Sequence, residues 1–169
     1  MSDGGIKPQR AAIAGDSAGG GLTLATLLTL RDAGDPLPGA AALLSPWTDL
    51  ACASASYAER ADREIMLDRK FLLADAARYL GGADPSEPLA SPVHADLTGL
   101  PPVIVHVGSD EVLYDDAAVL HERLVAAGVE SRLDVWPDMF HVWHGAPVLK
   151  EAHDALGEIA EFIAKHTSA

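Results

Sequence analysis

Apolar residues along this chain follow two spacings, one typical of short buried strands and one typical of amphipathic helices. The predicted strands, in chain order, are residues 10–14, 40–44, 102–107 and 131–135. The predicted helices are residues 18–33, 68–80, 115–127 and 146–165. Because strands and helices alternate, the pattern predicts a mostly parallel sheet with helices on both faces, which is the α/β class.

Two of the helices show which face they bury. In the helix 115–127, one face is apolar and Gly128 supplies the stop. Its apolar residues are Ala117, Leu120, Leu124 and Ala127. In the closing helix 146–165, the predicted buried face is Leu149, Ala152, Leu156, Ile159 and Ile163.

Residues 50–98 interrupt this alternation. They are rich in Ala, Asp, Glu and Arg, and three proline-containing turns follow the predicted helix 68–80. We therefore expect an excursion from the sheet inside a single domain that comprises residues 1–169.

Composition narrows the class of protein. A net charge of −13 disfavours binding to nucleic acid or to an anionic membrane surface. No apolar run approaches the ~18 residues of a membrane span, and the first ten residues do not resemble a secretory signal. The single cysteine, Cys52, allows no intramolecular disulfide. These features predict a cytoplasmic protein.

A Gly-x-Ser-x-Gly motif connects the first predicted strand to the first predicted helix. It comprises Gly15, Asp16, Ser17, Ala18 and Gly19. In a nucleophile elbow, such a motif presents the serine at the top of a sheet, and its glycines avoid collisions between a Cβ and the neighbouring backbone. The alternative is a glycine-rich turn with an incidental serine. The strand before the motif and the helix after it favour the elbow.

A serine hydroxyl is a weak nucleophile unless a base removes its proton and a third group orients that base. Candidates lie after the third and fourth predicted strands, at the sheet edge where Ser17 is expected. They are Asp110 and Glu111 in one loop and His141 in the other. His141 and His144 could also suggest a metal site, but zinc needs further ligands, so no metal is predicted.

The chain carries recognisable short motifs at residues 15–20, 44–49, 91–92, 96–97, 100–102, 107–113, 115–116 and 140–141. In these segments it resembles the hormone-sensitive-lipase-like family of bacterial α/β-hydrolase esterases. The resemblance implies part of the α/β-hydrolase fold and a carboxylesterase that acts on small acyl esters through an acyl-enzyme. It implies no cofactor.

The resemblance also assigns roles to individual residues. Ser17 matches the nucleophile, His141 matches the general base, and the Ala18 N–H matches one oxyanion-hole donor. Asp16 is expected to be an orienting neighbour in the elbow. The triad acid is either Glu111 or Asp110, and the spacing of the family loop to a following Leu and Asp favours Glu111.

The chain departs from the family before the elbow. The family's His-Gly-Gly-Gly loop does not occur, and only sixteen residues precede Ser17. We therefore expect the carboxyl-terminal part of such an enzyme. It would need a missing amino-terminal segment, or form a homodimer through its last strand, residues 131–135. A catalytically inactive fragment and a non-catalytic binding module are the alternatives.

Overall fold

Four parallel strands form one sheet within residues 5–168, the part of the chain that this computed structural model describes. The strands pair in chain order and are β1 (Ala12–Asp16), β2 (Ala40–Leu44), β3 (Val103–Gly108) and β4 (Ser131–Trp136). The helices are α1 (Ala18–Ala33), α2 (Ser56–Glu59), α3 (Arg69–Leu80), α4 (Tyr114–Ala126) and α5 (Lys150–Thr167). Short 3-10 helices cover Pro8–Arg10, Pro92–His94 and Trp143–Gly145. The predicted α/β class is confirmed.

Helices cover the sheet on both faces, as the alternating pattern predicts. On one face, α1 and α4 contribute Leu24, Leu28 and Leu120 to a core with Leu43 and Val105. On the other face, α5 packs Ile159 and Phe162 against Ala42 and Ile104. Because both faces are covered, β2 and β3 are almost entirely buried, which explains their uninterrupted apolar sequences.

Two elements begin at least two residues later than the sequence predicts. β1 begins at Ala12 rather than at residue 10, because Pro8–Arg10 forms a 3-10 turn closed by a bond from the Ala11 N–H. The last helix begins at Lys150 rather than at residue 146, because residues 146–149 form a turn that contains Pro147.

The buried face of α5 also differs from its prediction. Leu156 was predicted to be buried but is 46% exposed. The helix buries Ala152 and Ile159, as predicted, and its other two buried residues are Ala155 and Phe162. Ala152 and Ala155 pack beside Trp143, so the loop before the helix determines which face turns inward.

Residues 45–102 contribute α2, α3 and loops but no strand to the sheet. They form a second apolar cluster in which Trp47, Tyr57 and Leu72 pack against Val112 and Leu113. This cluster lies between the end of β2 and the start of α4, and it therefore links this segment to the loop that follows β3. No helix among the described residues is long and apolar enough to cross a membrane.

A buried carboxylate joins α4 to the same segment. Asp116 accepts hydrogen bonds from the Thr48 N–H at 2.8 Å, the Asp49 N–H at 2.9 Å and the Tyr57 hydroxyl at 3.1 Å. Burial raises the pKa of Asp116 to about 7, although these hydrogen bonds oppose the rise.

We predict that this carboxyl makes the unfolding free energy depend on pH. Between about pH 5 and pH 7 Asp116 is protonated in the folded state but ionised in the unfolded state. The unfolding free energy should therefore fall by about 1.4 kcal/mol for each unit by which the pH rises in this range. Asp116→Asn keeps an oxygen for the two N–H donors but cannot titrate. Urea unfolding of both proteins at pH 5, 6, 7 and 8 measures the difference, and identical pH dependences would contradict the prediction.

Candidate active site

Ser17 lies at the sharp turn between β1 and α1. Its backbone has φ 52° and ψ −124°, a conformation that residues other than glycine rarely adopt. Three backbone hydrogen bonds hold it. The Ser17 N–H donates to the Leu44 carbonyl at 2.9 Å, and the Ser17 carbonyl accepts from Gly20 at 3.0 Å and Trp47 at 2.9 Å. The end of β2 and the loop after it therefore hold this strained residue in place.

The glycines around Ser17 differ in how much they are needed. A Cβ on Gly15 would lie 2.1 Å from the Gly19 carbonyl oxygen, so the crossing of β1 and α1 requires a glycine there. At Gly19 the nearest atom would be an Asp16 carboxylate oxygen at 4.0 Å, so the predicted collision at Gly19 is wrong. The close contacts lie further along α1, where a Cβ on Gly20 would lie 2.6 Å from the Pro46 Cβ.

We predict that alanine at Gly15 and alanine at Gly19 change stability by very different amounts. Gly15→Ala should destabilise the chain by about 3 kcal/mol, because backbone atoms must move apart to admit the methyl group. Gly19→Ala should change stability by less than about 1 kcal/mol, because its site is open and alanine favours helices. Denaturant midpoints of the two variants provide the comparison, and similar losses at both positions would contradict it.

His141 lies in the loop after β4 and is 4% exposed. Its Nε2 is 2.9 Å from the Ser17 Oγ, and its Nδ1 is 2.9 Å from the Glu111 Oε2. A carboxylate can only accept at this distance, so the Nδ1 carries a proton and the Nε2 faces the serine hydroxyl as an acceptor. The structure thus brings together three side chains from the carboxyl ends of β1, β3 and β4.

Glu111 is completely buried. Its second oxygen, Oε1, accepts hydrogen bonds from the Ser45 hydroxyl at 2.6 Å and from the Gly108 N–H at 2.7 Å. The same Ser45 hydroxyl accepts a bond from the Val142 N–H at 3.1 Å. Ser45 therefore connects the carboxylate to the loop that carries His141, and this role was not predicted from the sequence. The available signal was its place directly after β2, at the same sheet edge.

The Asp110 side chain points away from His141. Its carboxylate accepts from the Ser109 hydroxyl at 3.2 Å and lies 3.4 Å from the Arg63 guanidinium. Its backbone N–H donates to the Met139 carbonyl. The side chains of these adjacent residues therefore point in different directions. Glu111 contacts His141, and Asp110 points toward the loop of residues 60–64.

Two other predicted residues flank the serine. Ala18 is the first residue of α1, so its N–H is one of the four at the helix start that have no acceptor within the helix. Asp16 ends β1 with an exposed side chain and approaches the start of α1.

An apolar cavity of about 330 Å³ opens beside the first turn of α1. One wall is formed by α1 and the other by α3 and its neighbouring loops. The lining residues include Ala18, Leu22, Trp47, Leu50, Tyr79 and Leu89. A ligand held at Ser17 would have this cavity within reach of an apolar group.

The two histidines considered as a metal pair face different partners. His144 lies against His106, not against the Ser17 side of His141. Among the described residues, one other group has the spacing of metal ligands: donor atoms of His106, Asp134 and Glu158 lie within 4.8 Å of one another. The Arg132 guanidinium pairs with both of these carboxylates and offsets part of their negative charge.

Residues 2–145 match the profile of a family described as having the alpha/beta hydrolase fold. The chain belongs to the α/β-hydrolase family. Among its relatives, an acetyl-hydrolase from Streptomyces hygroscopicus is 53% identical over 160 residues, which are 94% of this chain and 54% of that protein. An esterase from Acinetobacter venetianus is 36% identical over 165 residues, 94% of this chain and 53% of that protein.

Solved structures of related esterases are similar to this α/β-hydrolase over nearly all of its chain. The esterase EstE5 superposes with a TM-score of 0.95 at 47% identity, covering 99% of this chain and 57% of that one. An esterase from the bacterial hormone-sensitive lipase family superposes with a TM-score of 0.94 at 48% identity, covering 96% of this chain and 55% of that one. These matches confirm the resemblance seen in the sequence. The chain spans about half the length of the relatives it matches.

Proposed function

We propose that this chain carries the reacting side chains of a carboxylic ester hydrolase that works through a serine acyl-enzyme. One observation carries the proposal: His141 lies 2.9 Å from both the Ser17 hydroxyl and the Glu111 carboxylate. The contacts join a nucleophile, a base and an orienting acid in the order that serine hydrolysis requires. The names of the relatives, an acetyl-hydrolase and esterases, support ester hydrolysis.

In the proposed reaction, the His141 Nε2 takes the Ser17 proton as the Oγ attacks the ester carbonyl carbon. The carbonyl oxygen becomes an oxyanion, which the Ala18 N–H stabilises at the start of α1. The protonated His141 then donates its Nε2 proton to the leaving alcohol. Water attacks the acyl-enzyme by the same route, with His141 again as the base, and releases the carboxylic acid and the free Ser17 hydroxyl.

The Glu111 carboxylate accepts a hydrogen bond from the His141 Nδ1–H throughout the proposed reaction. This contact favours the tautomer whose Nε2 can act as a base and stabilises the imidazolium that forms. Hydrogen bonds from Ser45 and Gly108 hold the other carboxylate oxygen. They compensate the cost of burying this charge, since a buried carboxylate needs several donors.

The cavity beside α1 supports neutral esters with a small apolar group as substrates. About 330 Å³ with an apolar lining suits a short acyl or alcohol chain. The acidic chain, at net charge −13, disfavours anionic esters. We propose acetyl and butyryl esters as the first substrates to assay.

Full turnover, we propose, requires a further segment. Among the described strands, β1 pairs only with β2, so its other edge can accept another strand. Ala18 supplies one oxyanion donor, and loss of a single donor costs serine hydrolases about 2.7–4 kcal/mol in the barrier. A segment that pairs with β1 and supplies more N–H groups would restore this stabilisation. A homodimer through β4 stays a prediction.

Labelling with a fluorophosphonate probe, followed by intact-mass measurement, tests the proposal. The chain is treated alone and after mixing with the part of the Streptomyces hygroscopicus acetyl-hydrolase that the match does not cover. We expect a single adduct that forms faster in the mixture and is absent after heat denaturation. No adduct in either sample, with the chain folded by circular dichroism, would overturn the proposal.

A further inference from the structure

A second row of polar side chains, two of them buried and one half-buried, lies behind the loop that carries His141. The His144 Nε2 is 3.3 Å from the His106 Nδ1, and the His106 Nε2 is 3.1 Å from an Asp134 carboxylate oxygen. His106 is completely buried, and His144 is 6% exposed. The row connects the 3-10 helix just after His141 with β3 and then with β4.

The contacts determine which nitrogens carry protons. A carboxylate 3.1 Å away repels a nitrogen lone pair, so the His106 Nε2 bears hydrogen and its Nδ1 is an acceptor. The His144 Nε2 must then donate to that Nδ1. Burial raises the pKa of Asp134, but the contacts with His106 and Arg132 outweigh burial and hold this pKa below its ordinary value. The Asp134 carboxylate therefore keeps its negative charge.

The backbone between His141 and His144 is strained. Val142 has φ 52° and ψ 39°, a left-handed conformation that is costly for a β-branched residue, by about 1–3 kcal/mol. Such a conformation persists only where its neighbours are held on both sides. On one side His141 bonds to Glu111. On the other, the buried Trp143 ring lies parallel to His106, and His144 contacts the same imidazole.

We propose that His144, held by His106 and Asp134, is a positioning residue that keeps the strained loop in the conformation that aims His141 at Ser17. This inference rests on the proposed hydrolase function. Without the His144 anchor, Val142 can relax to a negative φ, which would turn the His141 ring away from the serine. His144 itself touches neither substrate nor the reacting atoms.

Burial supports a neutral anchor. Burial lowers the pKa of His144 to about 3. A neutral His144 adds no positive charge beside His141. The imidazolium that forms there during catalysis therefore meets no like charge from this residue.

Two variants of similar volume separate positioning from packing. His144→Gln keeps an N–H donor for the His106 Nδ1, whereas His144→Met fills the space without one. We expect His144→Met to lower kcat by about 100-fold, the scale of a 1 Å displacement of a reacting group, with KM nearly unchanged. His144→Gln should recover kcat to within about threefold of the parent. Similar kcat values for the two variants, or a loss confined to Tm, would overturn the proposal.

Nitrogen-15 NMR of histidine-labelled chain tests the same inference without requiring hydrolysis. We expect His106 to be protonated at Nε2 and unprotonated at Nδ1, and the low-field Nδ1 proton of His141 to persist in His144→Gln but broaden in His144→Met. If neither the chain nor its mixture with the further segment forms an adduct with the fluorophosphonate probe, yet the chain shows these signals, the positioning contact stands and the proposed function fails. A His106 proton at Nδ1 overturns the contact itself.

Discussion

Replacing Ser17 by alanine is expected to lower ester hydrolysis by about 10⁵–10⁶-fold, which leaves only the effect of binding and the oxyanion donor. The reason is chemical, since no other hydroxyl within residues 5–168 lies against the His141 Nε2 that would activate it. Ser17→Ala should leave the backbone strain at this position unchanged, because serine and alanine carry the same Cβ.

The measurement is the rate of p-nitrophenyl acetate hydrolysis, together with fluorophosphonate labelling, in whichever preparation reacts with the probe. Ser86→Ala is the matched control, because Ser86 is exposed and its hydroxyl bonds only within its own turn, to Asp84. Retained labelling in Ser17→Ala would show that another residue is the nucleophile, and the proposed mechanism would fail.

Glu111→Gln is expected to reduce kcat by about 10⁴-fold, the cost known for converting a triad carboxylate to an amide. The amide oxygen can still accept from Ser45 and Gly108, which leaves its NH₂ group facing the His141 Nδ1. That donor stabilises the tautomer with a bare Nδ1 and a protonated Nε2. His141 would then present a hydrogen to Ser17 and could not act as a base.

Asp110→Asn is the matched comparison, because it makes the same chemical change one residue earlier. Asp110 contacts Ser109 and Arg63 rather than His141, so we expect hydrolysis to stay within about twofold of the parent. kcat and KM of both variants, measured at pH 8, decide between the two carboxylates. A large loss in Asp110→Asn with little change in Glu111→Gln would assign the acid to Asp110.

Local patterns in the sequence determined the fold class and the candidates for the site. The strand 40–44 agrees to the residue, because its apolar run is bounded by Gly39 and by Ser45-Pro46, which restrict the backbone on both sides. The Gly-x-Ser-x-Gly motif between a strand and a helix pointed to Ser17 through the steric demand at Gly15. The order of strands then placed the loops of Glu111 and His141 at the same edge, because parallel strands end together.

Contacts between residues distant in the chain were decided only by the tertiary structure. Asp110 and Glu111 have the same charge, and the turn that ends with the Glu111 N–H bonded to the Gly108 carbonyl separates their directions. Ser45 reaches Glu111 across 66 residues, and His144 reaches His106 across 38. No local spacing records such contacts, because they depend on how strands and loops pack once the chain has folded.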